Sequence, residues 1–467
     1  MADLHVMTTT GMHTVLNETT LAALQTSLRG ALIHPGDPGY HDARMVWNCM
    51  IDRRPGLIVR CSSAVDVIQA VMFARTHNLL VSVRGGGHNF AGIAVCDGGM
   101  VIDLSWMKSV RVDVKHQTAR AEGGVTWGEF DRETQAFGLA TVGGTVTNTG
   151  IAGLTLGGGI GWLTRQYGLS CDNLLSADVV TAAGGYLTAS ATEHPDLYWG
   201  LRGGGGNFGI VTSFEYQLHP VTDILGGLVL YPAEQTSEVL RFYADFSRQL
   251  PEEASAVGGL LTSPDGAPVV AIAVFYNGPA AAGEAVLRPL RAFGAPLLQD
   301  LRPRSYCEMQ GMLDAMFPPG RRSYMKSMLL QDISADLIER LVEHALPLPS
   351  PLSFVAFQQM GGVASRIDHT TTAFGHREAQ YDLLFHAIGR HPADDTANIQ
   401  WARQLFEAME PFTGDGVYLN NIGSDQEGRD GVKTAWDQPT YARLVALKQQ
   451  YDPTNLFRHN QNILPTV

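Results

Sequence analysis

Apolar and polar residues alternate in the first half of the chain with the periods of short strands and amphipathic helices. Residues 55–83 fit strand, helix, strand: Leu57–Val59 is apolar and largely β-branched, and apolar residues then recur at helical spacing. Ser63 followed by Asp66 resembles a capping box, which predicts where the helix begins. The predicted buried face of this helix consists of Ala64, Val67, Ile68, Val71 and Met72.

The other elements predicted before residue 222 are also short. A second helix is predicted from Thr126, with Glu129 as its capping partner, and Gly138 ends it. Strands are predicted at Val101–Leu104, Thr118–Glu122, Ala177–Thr181 and Ile210–Tyr216. Strands and helices interrupted by glycine-rich segments indicate an α+β nucleotide-binding domain.

After His219 and Pro220, longer strands alternate with helices. Strands are predicted at Leu225–Tyr231, Val257–Thr262, Val269–Tyr276, Phe354–Met360 and Leu383–Ile388. Helices are predicted at Thr236–Gln249, Ala280–Phe293, Ala335–Ala345 and Thr396–Met409, with a last one from Pro439 to about Gln450. We predict domains at residues 1–221 (core about 53–221) and 222–411, and a segment at 412–467 that returns to the first domain.

Length and charge narrow the class of protein. A chain of 467 residues exceeds what one hydrophobic core usually serves, so two domains are expected. The net charge of −13 argues against nucleic acid and anionic membranes as partners, because phosphates require clustered Lys and Arg. The five cysteines are scattered without C-x-x-C spacing, so neither a disulfide framework nor a metal site is expected. No secretory signal is visible in Met1–Gly30, which predicts a cytoplasmic protein.

Three glycine loops carry the candidate chemistry. The first, Arg84–Gly92, follows an apolar strand and contains three consecutive glycines, then His88, and a fourth glycine at its end. The second is Gly150–Trp162 and the third is Leu201–Val211. Glycines let backbone N–H groups approach the phosphates of a ligand. The third loop matches G-x-G-x-x-G, but a helix-like segment precedes it and a strand follows, the reverse of a nicotinamide-type Rossmann site.

These loops, with Tyr167–Asn173 and the C-terminal Asn460–Ile463, resemble the berberine-bridge-enzyme-like oxidases of the vanillyl-alcohol-oxidase (PCMH-type FAD-binding) superfamily. The resemblance extends from about Tyr40 to Pro465. It implies a two-domain α+β fold, in which a PCMH-type FAD-binding domain carries a substrate domain made of an antiparallel sheet backed by helices. It also implies that a ring nitrogen of His88 is joined covalently to the flavin. The other residues that it assigns to FAD are Arg84, Gly85, Gly86, Gly87, Asn89, Gly92, Thr149, Gly150, Gly153, Leu156, Gly157, Gly158, Gly159, Gly161, Trp162, Asn173, Gly206, Gly209, Ile210, Val211, Asn460 and Asn462.

Two positions bear on a second covalent link. Many members of the family attach FAD also through a cysteine eleven positions before Gly157, where this chain has Val146. Cys171 lies on the other side of the loop and is interpreted as a buried apolar thiol. The chain therefore resembles the singly linked, bacterial-type branch, with FAD attached through His88 only.

The catalytic residues follow the family motif incompletely. Tyr418 and Asn420 match Tyr-x-Asn-Tyr, and Asn421 replaces the second tyrosine. A phenol with a pKa near 10 is a poor base at neutral pH unless a neighbour stabilises its anion, so Tyr418 is a candidate base or a tyrosine packed between domains. Gln358, Gln359 and His376 are candidate substrate ligands. Thr149 falls at the family's oxygen-gating position and is no larger than valine, which favours an oxidase.

The resemblance implies an FAD-dependent oxidase that removes hydride from an alcohol or amine carbon and reduces O2 to hydrogen peroxide. Its substrate is expected to be a small, aromatic or sugar-like molecule; its identity, the base and the oligomeric state stay open. Three alternatives stay open as well: a dehydrogenase of the same fold, a binding protein that keeps FAD and a ligand without chemistry, and a protein with non-covalent FAD.

Overall fold

The computed structural model describes residues 3–222, 224–414, 416–423 and 429–466, in which helices and strands alternate. The strands, in chain order, are β1 (Leu4–Met7), β2 (His13–Leu16), β3 (Ala31–Ile33), β4 (Leu57–Arg60), β5 (Val81–Arg84), β6 (Met100–Asp103), β7 (Val110–Asp113), β8 (Thr118–Glu122), β9 (Leu139–Ala140), β10 (Leu174–Val180), β11 (Tyr186–Ser190), β12 (Ile210–Gln217), β13 (His219–Pro220), β14 (Ile224–Pro232), β15 (Ala254–Thr262), β16 (Pro268–Asn277), β17 (Leu298–Arg304), β18 (Arg322–Leu330), β19 (Phe354–Gln359) and β20 (Tyr381–Gly389). The helices are α1 (Glu18–Ser27), α2 (Tyr40–Arg44), α3 (Ala64–Thr76), α4 (Trp127–Gln135), α5 (Ile151–Leu156), α6 (Thr164–Tyr167), α7 (Pro195–Leu201), α8 (Thr236–Gln249), α9 (Ala280–Ala292), α10 (Tyr306–Gln310), α11 (Ala335–Ala345), α12 (Val363–Arg366), α13 (Asp395–Met409), α14 (Arg429–Lys433) and α15 (Gln438–Tyr451).

Two sheets form the part of the molecule that carries the glycine loops. One has the order β3-β4-β6-β5, with parallel pairs β4/β6 and β5/β6. The other has the order β11-β10-β12-β8-β7 and antiparallel pairs. Each strand predicted in this part is present, and β8 has the predicted bounds. The order α7, glycine loop, β12 is also as predicted, so the third loop does not have the strand-loop-helix order of a Rossmann site.

The predicted start of α3 is right, but its capping and its buried face differ in detail. Ser63 Oγ accepts a hydrogen bond from the Asp66 N–H, whereas the Asp66 carboxylate accepts from the N–H groups of Arg29 and Gly30. Met72, predicted to be buried, is 40% exposed. The buried positions are Val67, Ala70, Val71 and Ala74, whose i, i+3, i+4, i+7 spacing places Met72 on the other side of the helix.

A seven-stranded antiparallel sheet, β17-β14-β16-β15-β19-β20-β18, occupies the second part of the chain. One face packs against α8, α11 and α13, so the prediction of an antiparallel sheet backed by helices is confirmed. Helices α8 and α11 have the predicted bounds. Strands β17 and β18 are absent from the prediction, and β18 is an edge strand next to β20.

The C-terminal helix α15 contacts α7 of the first part. The Lys448 Nζ atom on α15 donates to Asp452 and to the backbone carbonyls of Asn207 and Phe457, which ties the end of the chain to the third glycine loop. The division of the chain at residues 221 and 411 stays a prediction. None of the helices in the described ranges is both long and apolar enough to cross a bilayer.

Candidate active site

A cavity of about 290 Å³ lies between the glycine loops and the open face of the seven-stranded sheet. The loops line one side of it, β18, β19 and β20 contribute to the other, and the segments around Tyr418 and Asn460 close it. The loops touch each other through their backbones: a Cβ atom on Gly86 would lie 2.5 Å from the backbone of Gly150, and one on Gly150 would lie 2.5 Å from Gly86 N. Side chains at these two positions would therefore force the loops apart.

His88 stands on the first loop with one ring nitrogen held by an amide. Its Nε2 atom lies 2.7 Å from Asn148 Oδ1, and its ring stacks on Trp47 with a centroid distance of 4.4 Å. Burial lowers the pKa of His88 to about 4, so the imidazole is neutral at pH 7. Because an amide oxygen only accepts, Nε2 carries the proton and Nδ1 keeps its lone pair.

Tyr418 lies on the cavity wall with its hydroxyl held by two donors. The Gly159 N–H (3.0 Å) and Asn420 Nδ2 (2.8 Å) both donate to its oxygen, and Asn420 Nδ2 also donates to the Leu154 carbonyl. Burial raises the pKa of Tyr418 above its ordinary value although these donors act in the opposite direction. The phenol therefore keeps its proton at neutral pH and can donate it in a hydrogen bond.

The structure brings most of the predicted site residues to the cavity. Those that line it are Gly85, Gly86, Gly87, His88, Asn89, Thr149, Gly150, Gly153, Leu156, Gly157, Gly206, Gly209, Ile210, Val211, Gln358, Tyr418, Asn420 and Asn460. Those that do not are Arg84, Gly92, Gly158, Gly159, Gly161, Trp162, Asn173, Asn462, Gln359 and His376.

Residues of the second group that were assigned to FAD have other contacts in the described chain. The Arg84 guanidinium donates to the Ala43 carbonyl, and Asn173 Nδ2 donates to the carbonyls of Tyr167 and Leu169. Trp162 is buried in a cluster with Phe275 on the seven-stranded sheet. Gly92 has a φ of +73°, and a Cβ atom there would clash with the Ile51 side chain. Glycine is therefore required at this position to form the turn.

Two predicted substrate ligands lie away from the cavity. Gln359 follows Gln358 on β19 and therefore points to the opposite face of the sheet, where its amide bonds to Ala256 N–H and the Ser247 carbonyl. His376 adopts φ +59°, and its Nε2 atom lies 2.9 Å from the Thr434 carbonyl. Both side chains are engaged with backbone groups outside the cavity, so neither is placed to contact a ligand there.

Several cavity residues were missed by the sequence analysis. They are Phe90, Phe317, Met325, Leu384, His386, Asn421 and His459 on the cavity wall, and Asn148 and Asp382 directly behind it. The alternation along β20 was a usable signal, because Leu384 and His386 share one face of the predicted strand Leu383–Ile388, and Asp382, one residue before its predicted start, continues that face. Nothing in the sequence indicated that Asn148 would contact His88.

These groups fit an FAD. The glycine loops offer backbone N–H groups for the pyrophosphate, and the neutral His88 offers a nucleophilic nitrogen. The Asn460 Oδ1 atom lies at the cavity and, within the described residues, is buried without a hydrogen-bond partner, so a ligand hydroxyl or N–H group would satisfy it.

Comparison with known families identifies two segments of the chain. Residues 55–190 match an FAD binding domain, and residues 417–464 match the "berberine and berberine like" family. The first match contains His88 and the whole of the second glycine loop, and the second contains Tyr418, Asn420 and Asn460.

Relatives match over nearly the whole chain. The (R)-6-hydroxynicotine oxidase of Paenarthrobacter nicotinovorans is 33% identical, over 94% of this chain and 97% of that protein. An FAD-linked oxidoreductase of Dictyostelium discoideum is 31% identical, over 94% of this chain and 95% of that protein. The crystal structure of 6-hydroxy-D-nicotine oxidase from Arthrobacter nicotinovorans superimposes with a TM-score of 0.85 at 31% identity, over 94% of this chain and 99% of that one. The chain therefore belongs to the berberine-bridge-enzyme-like family of FAD-linked oxidoreductases.

Proposed function

We propose that this FAD-dependent oxidoreductase is an oxidase that holds FAD covalently through His88 alone and oxidises a small, uncharged alcohol or amine. The observation that carries the proposal is the neutral imidazole of His88, held by Asn148 at the edge of a glycine-lined cavity, with Tyr418 and Gln358 on the facing wall. Bound FAD would supply the electron chemistry by accepting hydride from the substrate carbon.

We infer a single covalent link to FAD from the nucleophilic side chains near the cavity. The His88 imidazole has a lowered pKa and is neutral at pH 7, so its unprotonated ring nitrogen is a competent nucleophile. Val146 lines the cavity but has no thiol. The Cys171 thiol is fully buried, does not line the cavity, and has a pKa raised by that burial, so it stays a structural group.

The size and charge of the substrate are inferred from the wall that faces the loops. Phe317, Met325 and Leu384 make part of this wall apolar. Among the described lining residues, none is an aspartate, glutamate, lysine or arginine. Burying an unpaired charge against such a wall is costly, so carboxylate and phosphate substrates are disfavoured. The relative that acts on 6-hydroxynicotine makes heteroaromatic amines a reasonable part of the substrate search.

On the substrate, Tyr418 would act as a hydrogen-bond donor rather than as the base. Its oxygen already accepts two hydrogen bonds, and its own proton is left to bind an oxygen or nitrogen of the substrate. Gln358 and Asn421 offer further amide groups on the same wall. These contacts would hold the substrate carbon in one orientation towards the flavin, which is the main contribution a protein makes to hydride transfer.

Dioxygen is proposed as the electron acceptor because Thr149 and Gly144, at the second loop, are small and line the cavity. The 6-hydroxynicotine oxidase that matches over most of the chain is itself named an oxidase, which supports the same acceptor. Hydrogen peroxide would be the second product.

The test combines mass analysis with a substrate screen. The intact polypeptide is expected to carry one FAD, and a peptide containing His88 is expected to retain it after acid precipitation. Anaerobic flavin bleaching would then be measured with heteroaromatic amines, aromatic alcohols and oligosaccharides, followed by peroxide yield in air. Release of all flavin by acid would contradict the covalent link, and fast bleaching without peroxide would indicate a dehydrogenase. Tight binding without bleaching across the panel would favour a non-catalytic protein.

A further inference from the structure

A buried carboxyl group lies directly behind the substrate wall of the cavity. On β20, the side chains of Tyr381, Leu383 and Phe385 pack against the helices on one face of the sheet. The residues between them therefore point to the opposite face, where the cavity lies. Leu384 and His386 line the cavity on that side. Asp382 shares their face but is 1% exposed, because the segment that contains Asn421 covers it.

One amide separates this carboxyl group from the cavity. Asn421 Nδ2 donates to Asp382 Oδ2 at 2.6 Å, and Asn421 itself lines the cavity. The second carboxyl oxygen, Oδ1, is buried and, within the described residues, has no hydrogen-bond partner. Gln358, which also lines the cavity, is the register partner of Asp382 on the neighbouring strand. The carboxyl group therefore adjoins two amides of the substrate wall.

The groups around Asp382 leave its charge sensitive to pH. Asn421 hydrogen-bonds to it, the Ser327 hydroxyl on β18 is near enough to lower its pKa, Gln358 faces it from β19, and Tyr418 on the C-terminal segment is a titratable neighbour. Burial raises the pKa of Asp382 to about 7, and the Ser327 and Asn421 side chains act in the opposite direction. The protonated and ionised forms are therefore both populated near neutral pH.

The two forms demand opposite orientations of the Asn421 amide. An ionised carboxylate only accepts hydrogen bonds, so it holds the NH2 group and leaves the amide carbonyl for the cavity. A protonated carboxyl group also donates, and the amide carbonyl is then the better partner for its O–H. In that case the Asn421 side chain turns about its last torsion and presents NH2 to the cavity.

We propose that Asp382 is a positioning residue that sets which end of the Asn421 amide faces the substrate, and thereby selects ligands by their hydrogen-bond polarity. With Asp382 ionised, the site accepts a hydrogen bond from an alcohol O–H or amine N–H. With Asp382 protonated, it donates to a carbonyl oxygen, the group that oxidation of an alcohol creates. The inference rests on the proposed function only for the identification of this cavity as the substrate site.

A matched pair of probes tests this polarity without requiring turnover. Benzyl alcohol can donate a hydrogen bond and benzaldehyde can only accept one; their binding to the oxidised holoenzyme is measured by the perturbation of flavin absorbance from about pH 5 to pH 9. From low to high pH, we expect the affinity for the alcohol to rise and that for the aldehyde to fall by about five- to tenfold each, the effect of one exchanged hydrogen bond. Both transitions should have a midpoint near 7.

Two variants separate this effect from a general loss of stability. D382N carries a neutral side chain at every pH, so its affinities should be independent of pH. Asp131→Asn is the matched control, because Asp131 is also fully buried with a raised pKa, but its hydrogen-bonding neighbour Gln310 does not line the cavity, whereas Asn421 does. It should retain the pH dependence of the wild type. A pH profile that survives in D382N would overturn the inference.

Infrared difference spectra of the ligand-free holoenzyme give a second readout. A protonated carboxyl C=O band should disappear with a midpoint near pH 7 in the wild type and be missing from D382N. The C=O band of the Asn421 side-chain amide should shift over the same pH range as the carboxyl band disappears. Asn421→Leu should lack this amide shift but keep the carboxyl band of Asp382. A wild type without the carboxyl band, or with a carboxyl band and no accompanying amide change, would refute the inference. Both outcomes are independent of whether the substrate screen succeeds or fails.

Discussion

The two ends of the cavity are built in different ways. The end at His88 is made from loops whose glycines, histidine and stacking tryptophan lie between Trp47 and Val211, and its backbone contacts exclude side chains. The end at Tyr418 joins β19, β20 and the C-terminal segment, and its polar atoms are side chains arranged in pairs. A cofactor of fixed structure can be held by backbone groups, whereas a family of varied substrates requires side chains that can change. The first end therefore suits FAD binding and the second suits specificity.

Electrostatics separates the two ends as well. At the first end, burial lowers the pKa of His88 and leaves a neutral nucleophile. At the second end, burial raises the pKa of both Tyr418 and Asp382, so that two acids keep their protons to higher pH. The same physical cause, desolvation, thus prepares a lone pair at one end and hydrogen-bond donors at the other.

Among the variants that test this difference between the two ends of the cavity, His88→Ala should have the largest effect. It removes the nucleophile at the end that binds the cofactor. We expect complete loss of covalent flavin, measured as the mass of the polypeptide and as yellow colour released by acid. His459→Ala is the matched control: it removes another half-buried cavity histidine with a lowered pKa and should leave the link intact. Covalent flavin in His88→Ala would show that another residue is the attachment site.

Tyr418→Phe tests the substrate end. The variant lacks the proposed donor, and removal of one such hydrogen bond in an active site typically costs about 10²–10³ in rate. The anaerobic rate of flavin reduction should fall by roughly this factor, while the His88 link stays complete. The Gly159 N–H and the Asn420 amide lose their acceptor, so a stability loss of about 1–3 kcal/mol is also expected. A rate within threefold of the wild type would argue against a role in turnover.

Gln358 and Gln359 provide a matched pair on one strand. Gln358→Leu should raise KM by about tenfold, the effect of one lost hydrogen bond to substrate, with little change in stability. Gln359→Leu should do the reverse, because it removes the side-chain acceptor of the Ala256 N–H and a side-chain donor to the Ser247 carbonyl, at a cost of about 1–3 kcal/mol. Steady-state kinetics and denaturant unfolding distinguish the two. Equal effects on KM would show that the strand face does not decide substrate contact.

Asn148→Leu tests the positioning of His88 and should have a smaller effect. Without the amide, neither ring nitrogen is selected to carry the proton, so covalent attachment should become slower or incomplete without being abolished. The covalent fraction is measured by intact mass after a fixed expression time. Asn421→Leu, at the other end of the cavity, should link as completely as the wild type.

The sequence predicted the loop end far better than the substrate end, for reasons visible in particular residues. At Gly86 and Gly150 the two loop backbones lie too close together for a side chain, so only glycine fits. This requirement is visible in the sequence as clusters of glycine. On β19, the prediction included both Gln358 and Gln359, because a shift of one residue exchanges the faces of a strand and local pattern did not fix the register. Strand β18 was missed since its sequence, Arg322–Leu330, mixes polar and apolar residues at an edge. The pairing of Asp382 with Asn421 joins residues 39 positions apart and depends on tertiary structure alone.

The last prediction concerns the pH dependence of stability, and it compares two residues on the same face of β20. The pKa of Asp382 is raised to about 7 in the folded protein from an ordinary value of 3.8, so the folded state holds the proton longer and stability falls as pH rises between these values. The pKa of His386 is lowered to about 3 from 6.5, so the unfolded state takes up the proton first and stability falls as pH drops below about 6.5. Relative to the wild type, D382N should therefore gain stability as pH is raised from about 4 to 7. Relative to the wild type, His386→Leu should gain stability as pH is lowered below about 6.5. The free energy of unfolding by denaturant, measured at several pH values, gives the sign of each slope; two slopes of the same sign would contradict the view that desolvation acts on both residues.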